Sequence, residues 1–187
     1  ALLAMRRLES PSIVQFLADA DPALMQEAAR AINDVGITAA YPALAALLVK
    51  PSADENLVLR ALNAAFRSGD AAALAKFAAD ASRAEPLRVE ALKLLGMYAK
   101  PPQRDRVVGV FRPLAPRDPQ PAISALGSIS RAVLFTKAAL IATAAIEAMS
   151  TRGAKANAPL LLELMNDTSV SARVRGAALR TLGGFET

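Results

Sequence analysis

Small and aliphatic residues recur along the chain at helical spacing. Five segments share an alanine flanked by further apolar residues, and the aligned positions are Ala28, Ala61, Ala91, Ala145 and Ala178. The steps between these alanines are 33, 30, 54 and 33 residues. Periods in this range are typical of stacked helical units, each of which buries its apolar face against its neighbour. The pattern therefore predicts an all-α chain of about five antiparallel helix pairs.

Turn residues separate the predicted helices. In the first pair, residues 13–17 and 23–35 are helical, Asp21 is the N-cap, Pro22 takes the first helical position and Gly36 ends the second helix. The other predicted helices cover residues 39–49, 56–67, 71–81, 86–99, 122–134, 137–149, 157–166 and 170–182. Asp167 or Thr168 is expected to cap the last of them.

Residues 100–121 depart from this pattern. They contain six prolines and one short apolar stretch, residues 107–111, and this insertion explains the long step of 54 residues. We expect it to be irregular, with one helical turn or a short helix. The remaining pattern predicts a single repeat domain over residues 1–187, and the helical start of the chain suggests a piece of a larger protein.

Composition excludes several kinds of chemistry. Histidine and cysteine are both absent, so the chain has no disulfide, thiolate nucleophile, Cys/His zinc site, His-ligated haem or imidazole acid–base group. We also expect no enzymatic activity, no cofactor and no metal. Apolar runs fall short of the roughly 20 residues that span a bilayer, and we expect no membrane insertion by this segment.

The turn and helix pattern resembles HEAT repeats. In residues 18–36, 85–96 and 170–183, an acidic or proline-containing turn precedes a second helix rich in Arg, Ala and Leu that ends near glycine. The resemblance extends over essentially the whole chain. It implies a right-handed α–α superhelix, and it is much more specific for fold than for function.

A narrower resemblance rests on residues 22–35 (PALMQEAARAINDV), 60–67 (RALNAAFR) and 87–114, which include the KPPQRDR stretch. They are similar to the helical module of bacterial membrane-bound dehydrogenase-like proteins. In that family the module lies between a β-propeller and a c-type cytochrome domain, whose functional residues have no counterparts here. The resemblance implies a non-catalytic scaffold that spaces or docks other domains of an exported redox protein, in the periplasm or at the membrane.

Two alternative functions remain open. One is a free-standing module that binds a protein or peptide on its concave face. The other is nucleic-acid binding, with a HEAT-like DNA glycosylase as its enzymatic extreme. Nucleic acid is the less favoured partner, because the net charge is only +5 and the absence of Trp leaves few side chains for base stacking.

The basic insertion is the first candidate contact surface. Within residues 100–117 its cations are Lys100, Arg104, Arg106, Arg112 and Arg117, against the single acid Asp105. They form either a docking loop for an anionic partner or a solvated segment whose arginines bind helix carbonyls and neighbouring acids. We favour the second interpretation, since charge runs are usually solvated.

Asn33 and Asn63 are the remaining candidates for partner contact. The alternative is local hydrogen bonding to inter-helix or helix-end backbone, which Asn commonly provides, and we favour it.

Overall fold

The computed structural model describes residues 1–150 and 157–184. In these ranges the chain is helical and contains no β-strand, which confirms the predicted all-α class. The α-helices are α1 (Leu2–Arg7), α2 (Pro22–Arg30), α3 (Tyr41–Ala45), α4 (Glu55–Ser68), α5 (Ala71–Ala79), α6 (Glu85–Gly96), α7 (Gln120–Leu134), α8 (Ala139–Ser150), α9 (Ala158–Asn166) and α10 (Ala172–Gly183).

The chain forms two compact units. The first comprises Ala1–Ala73 together with Pro102–Leu114, and the second comprises the described residues of 74–101 and 115–187. Residues Pro102–Leu114, which we call the inserted ribbon, follow α6 in sequence but belong to the first unit. The single repeat domain over residues 1–187 stays a prediction.

Helix α4 forms the core of the first unit. Residues 61–66 are six consecutive buried positions, so this helix is enclosed on nearly all sides, and it packs against α2 and α3. The Asp54 carboxylate caps its first turn by accepting from the N–H groups of Asn56 and Leu57. Gly69 ends it in the left-handed conformation, with φ +84°.

Other helices of the first unit are less regular than predicted. Asp21 caps α2 and Pro22 follows it, as expected, but the helix continues through a π-helical turn over Ala31–Gly36. The predicted helix at residues 13–17 is a 3₁₀ helix over Pro11–Ala18. The one predicted over residues 39–49 consists of the short α3 between 3₁₀ segments at Thr38–Ala40 and Ala46–Val49.

Helix α8 forms the core of the second unit. Seven of its twelve residues are buried, and it packs against both α6 and α10, while α7 packs on α8 and α9 on α10. The predicted cap at Asp167 or Thr168 is wrong. Ser171 caps α10, because its hydroxyl oxygen accepts from the N–H of Val174. The Asp167 carboxylate instead accepts from Ser169 in the preceding turn.

The five aligned alanines all lie in the core, with exposures of 0 or 1%. An alanine at a helix contact lets two helix axes approach closely, and the burial confirms that these positions face neighbouring helices. Within residues 1–150 and 157–184, no helix has the length and apolar character needed to cross a membrane.

Candidate functional site

The inserted ribbon is held by two backbone hydrogen bonds. The N–H of Asp105 donates to the Val110 carbonyl and the N–H of Arg112 donates to the Gln103 carbonyl, each at 2.9 Å. These bonds place Arg104 directly opposite Phe111 in an antiparallel bridge. Because successive side chains of an extended strand alternate between its two faces, Asp105 and Arg112 share one face and Arg104 and Phe111 share the other.

The N–H of Gly109 donates to the Asp105 carbonyl at 2.9 Å and closes a single helical turn at the tip of the ribbon. The sequence predicted such a turn in the insertion.

The Asp105 carboxylate is buried and saturated with donors. Its Oδ1 accepts from the N–H groups of Val107 (2.9 Å) and Val108 (3.1 Å), and its Oδ2 accepts from Asn63 Nδ2 (2.9 Å). Burial opposes ionisation, but the Val108 amide, the Asn63 side chain, the Val107 amide and the charge of Arg67 outweigh it. Together they hold the pKa of Asp105 below its ordinary value.

A chain of side-chain hydrogen bonds continues from Asp105 through the core. Asn63 Nδ2 also donates to Asn33 Oδ1 at 2.7 Å, and Asn33 Nδ2 donates to Asp34 Oδ1 at 2.9 Å. Asp34 in turn accepts from Arg60 through both carboxylate oxygens, at 3.0 and 2.9 Å. The π-helical turn, α4 and the inserted ribbon are therefore joined by one polar network.

Arg112 binds the end of the π-helical turn. Its guanidinium donates to the carbonyls of Asn33 and Asp34 at 2.8 Å and to that of Val35 at 3.3 Å, groups that a helix end leaves without intrahelical partners. Gly36 lies directly beneath it with φ +96°, and a Cβ there would come within 3.1 Å of Arg112 Cζ. This position therefore requires glycine for both its conformation and the close approach of Arg112.

Arg67 links α4 to the ribbon backbone. Both of its terminal nitrogens donate to the Arg112 carbonyl at 3.3 Å, and Nη1 lies 3.7 Å from Asp105 Oδ2. Its guanidinium also lies 5.9 Å from the centre of the Tyr41 ring. The buried Tyr41 hydroxyl and Arg67 Nε have no hydrogen-bond partner among the described residues.

The hydrogen bonds and ion pairs of this polar cluster stabilise the fold. Two carboxylates, Asp34 and Asp105, face three arginines, and every carboxylate oxygen of Asp105 already accepts from a donor. A carboxylate in that state is a poor general base, because its lone pairs are occupied and its pKa is low. In the part of the chain that the structure describes, no group of three or more acidic, His or Cys side chains could hold a metal ion.

The candidate contact residues have different environments. Asn33 and Asn63 lie inside the cluster and bond to each other and to the Asp34 and Asp105 side chains. The favoured interpretation, bonding to backbone, is therefore wrong for both. Arg112 binds helix carbonyls, but it does so from a ribbon that belongs to the first unit, whereas the favoured interpretation was a solvated segment. Arg104 is exposed on the ribbon and donates to the Gly109 carbonyl at 2.9 Å. Arg106 is also exposed.

The other two candidates lie in the second unit. Lys100 is exposed. The Arg117 guanidinium stacks 3.7 Å from the centre of the Tyr98 ring, and its Nε donates to the Tyr98 carbonyl at 2.8 Å.

Sequence reasoning missed Arg60 and Arg67 as members of the cluster. One signal was present: Arg60, Asn63 and Arg67 are spaced i, i+3 and i+7, so they share one face of α4. A polar row on a helix whose other residues are mostly apolar marks a buried polar contact.

A second candidate surface lies on α6, α8 and α10 of the second unit. A cavity of about 530 Å³ has apolar lining residues that include Val89, Leu140 and Ala144. A neighbouring cavity of about 310 Å³ lies beside α10, and both include Thr143 and Glu147 of α8. The two cavities are therefore adjacent along one helix.

Comparison with protein-family models, curated proteins and solved structures gives no match.

Proposed function

We propose that the chain is a non-catalytic, HEAT-like scaffold that binds a protein or peptide on the surface formed by α6, α8 and α10. In this proposal the helix pairs continue as a right-handed superhelix. The observation that carries it is the position of α8 between α6 and α10, each of the latter two in contact with it. This layer has adjoining cavities along its length, as expected for a surface that receives an extended partner.

The larger cavity has the chemistry of a peptide site. Its volume, about 530 Å³, lies in the range of roughly 300–1,000 Å³ that is typical of ligand sites. Leu140 is 53% exposed at its edge and offers an apolar contact. Charged side chains of both signs also line it, namely Glu85, Lys93, Glu147 and Arg173, and these would orient a partner.

The polar cluster of the first unit supports the non-catalytic part of the proposal. Asp105 is the most enclosed carboxylate of that cluster, and it is occupied by hydrogen bonds within the protein. Its role is then to hold the inserted ribbon in place, which a scaffold requires and an acid–base reaction does not use.

The test is selection from a random peptide library displayed on phage, followed by affinity measurement with labelled peptides. Leu140→Asp should weaken a selected peptide at least tenfold, because the apolar contact is worth roughly 1.5–3 kcal/mol when buried. Leu179→Asp is the matched control, since Leu179 is 57% exposed on α10 outside the residues that line the cavities. Failure to enrich any peptide, or equal losses in both variants, would contradict the proposal.

The resemblance to membrane-bound dehydrogenase-like proteins supplies a specific occupant for this surface. In that form of the proposal, a neighbouring domain of the same exported polypeptide binds here, and the chain spaces it from a haem-bearing domain. Sequencing the parent gene tests this form alone. A flanking β-propeller and a C-x-x-C-H motif support it, and their absence leaves the free-standing binding module.

A further inference from the structure

The outer face of the inserted ribbon has the features of a second protein contact. Arg104 and Phe111 lie directly opposite each other in the ribbon and make no backbone hydrogen bond to one another. The backbone hydrogen bonds join the residues on either side, Asp105 to Val110 and Arg112 to Gln103. In such a pair the two side chains come especially close together. Phe111 is 66% exposed, an unusual position for a large aromatic side chain.

The inner face of the ribbon is anchored, so the outer face is held in a fixed position. Asp105 is buried, and Arg112 binds the end of the π-helical turn. The ribbon backbone is fixed further by Arg67, which donates to the Arg112 carbonyl. A contact residue on an anchored element loses little conformational freedom on binding.

The charge of the outer face indicates the chemistry of its partner. The single acid of the ribbon, Asp105, points inward and lies near Arg67 and Arg112. Arg104 donates to the neutral carbonyl of Gly109, a contact that leaves its positive charge in place. A partner that fits the pair therefore brings a carboxylate to Arg104 and an apolar side chain to Phe111.

A protein partner fits better than a lipid surface. Arginine and aromatic side chains are enriched among the residues that dominate the energy of protein interfaces. Stable membrane attachment needs a larger apolar area or a longer basic segment than this pair supplies.

We propose that Arg104 and Phe111 dock an acidic, partly apolar protein segment on the first unit. The inference rests on the proposed protein-binding function and adds a contact element separate from the α8 surface.

Phage selection on the wild-type protein, as above, provides the probe peptides. We expect a class of peptides in which Asp or Glu lies near Leu, Ile, Phe or Trp. Phe111→Ser should weaken this class at least tenfold. Val49→Ser is the matched control, because Val49 is 70% exposed in the same unit, and it should leave the affinity within twofold.

Charge exchange separates direct contact from an indirect structural effect. Arg104→Glu should weaken the acidic peptides, and peptides with Lys in place of the acid should regain affinity for this variant. Circular dichroism of both ribbon variants should match that of the wild type, because both side chains point away from the unit.

The possible outcomes are distinct. Selected peptides that depend on Leu140 and bind Phe111→Ser normally would overturn this inference and keep the proposed function, whereas the absence of any selected peptide would overturn both. Sedimentation with phosphatidylglycerol vesicles that is lost in Phe111→Ser would overturn the protein partner in favour of a lipid surface.

Discussion

Replacing Asp105 with Asn tests the buried polar cluster with a minimal change of shape. Asn keeps one oxygen for the Val107 and Val108 amides, but it presents an NH₂ group to the Asn63 NH₂ group. If the Asn63 amide rotates to accept from this group, its oxygen faces the Asn33 oxygen. If Asn33 rotates as well, its oxygen faces the Asp34 carboxylate, which cannot donate. The network therefore cannot rearrange to accept the substitution.

The expected loss in the free energy of unfolding is about 3 kcal/mol, because the two contributions described next share the Asp105 carboxylate and do not add in full. A hydrogen bond to a charged group contributes roughly 1.5–3 kcal/mol, and the Asn63 bond is lost. Arg67, whose side chain is only 5% exposed, also loses a carboxylate at 3.7 Å. Breaking a buried ion pair costs about 3–5 kcal/mol, and the long distance places this pair at the lower end.

The two tyrosines allow the first unit to be followed alone. The chain has no Trp and two Tyr, with Tyr41 in the first unit and Tyr98 in the second. In a Tyr98→Phe background, Tyr41 fluorescence during urea titration reports unfolding of the first unit. With a urea slope of about 1–3 kcal/mol per molar, Asp105→Asn should lower the midpoint by about 1–3 M.

Asp21→Asn is the matched control. Asp21 is an exposed N-cap of the same unit, and Asn caps helices about as well as Asp, so its loss should stay within about 0.5 kcal/mol. If Asp105→Asn were no more destabilising than this control, the reasoning about the cluster would be refuted.

Three further predictions follow from burial, backbone conformation and ionisation. Ala28→Glu and Ala91→Glu should each abolish or strongly lower the melting transition of their unit, because each puts an unpaired charge at a fully buried position; an unchanged melting temperature for both would refute the repeat register. Gly36→Ala should lower the free energy of unfolding by about 1–2 kcal/mol, because φ at this residue is +96°. Gly127→Ala should raise it by about 0.5–1 kcal/mol, because Gly127 lies in a helix and a Cβ there would have open space around it. Equal effects of the two substitutions in urea titrations would contradict this. The folded pKa of Asp105 is lowered, so its stabilisation is complete above the unfolded pKa of about 3.9 and is lost as pH falls through the folded pKa. The difference in the free energy of unfolding between the wild type and Asp105→Asn should therefore shrink below about pH 4. A constant difference down to pH 2 would count against this prediction.

The helices could be predicted because they depend on local signals. Asp21 and Pro22 mark the start of α2 by capping chemistry alone. The five aligned alanines mark buried positions through the apolar residues that flank each of them at helical spacing. Both signals act within one or two helical turns, where sequence order and spatial order coincide.

The position of the inserted ribbon could not be predicted in this way. The contact that fixes it joins Asn63 to Asp105, 42 residues apart, and no periodicity connects these positions. Sequence reasoning favours inter-helix or helix-end backbone as the partner of Asn33, because Asn commonly bonds there. In the fold its partner is the buried Asn63 amide, because packing brings the two side chains together. The polar row on α4 shows that something polar meets this helix, but it does not identify the ribbon.

The most direct test of the account is amide hydrogen exchange of the ribbon, measured by NMR in the intact protein. The N–H groups of Asp105, Val107, Val108 and Arg112 all donate within the protein. If the ribbon is an integral part of the first unit, these four amides should exchange as slowly as those of α4 and should lose protection together in Asp105→Asn. Exchange at the rate of an unstructured peptide would mean that the segment is a solvated linker, and the cluster and the docking face built on it would both be contradicted.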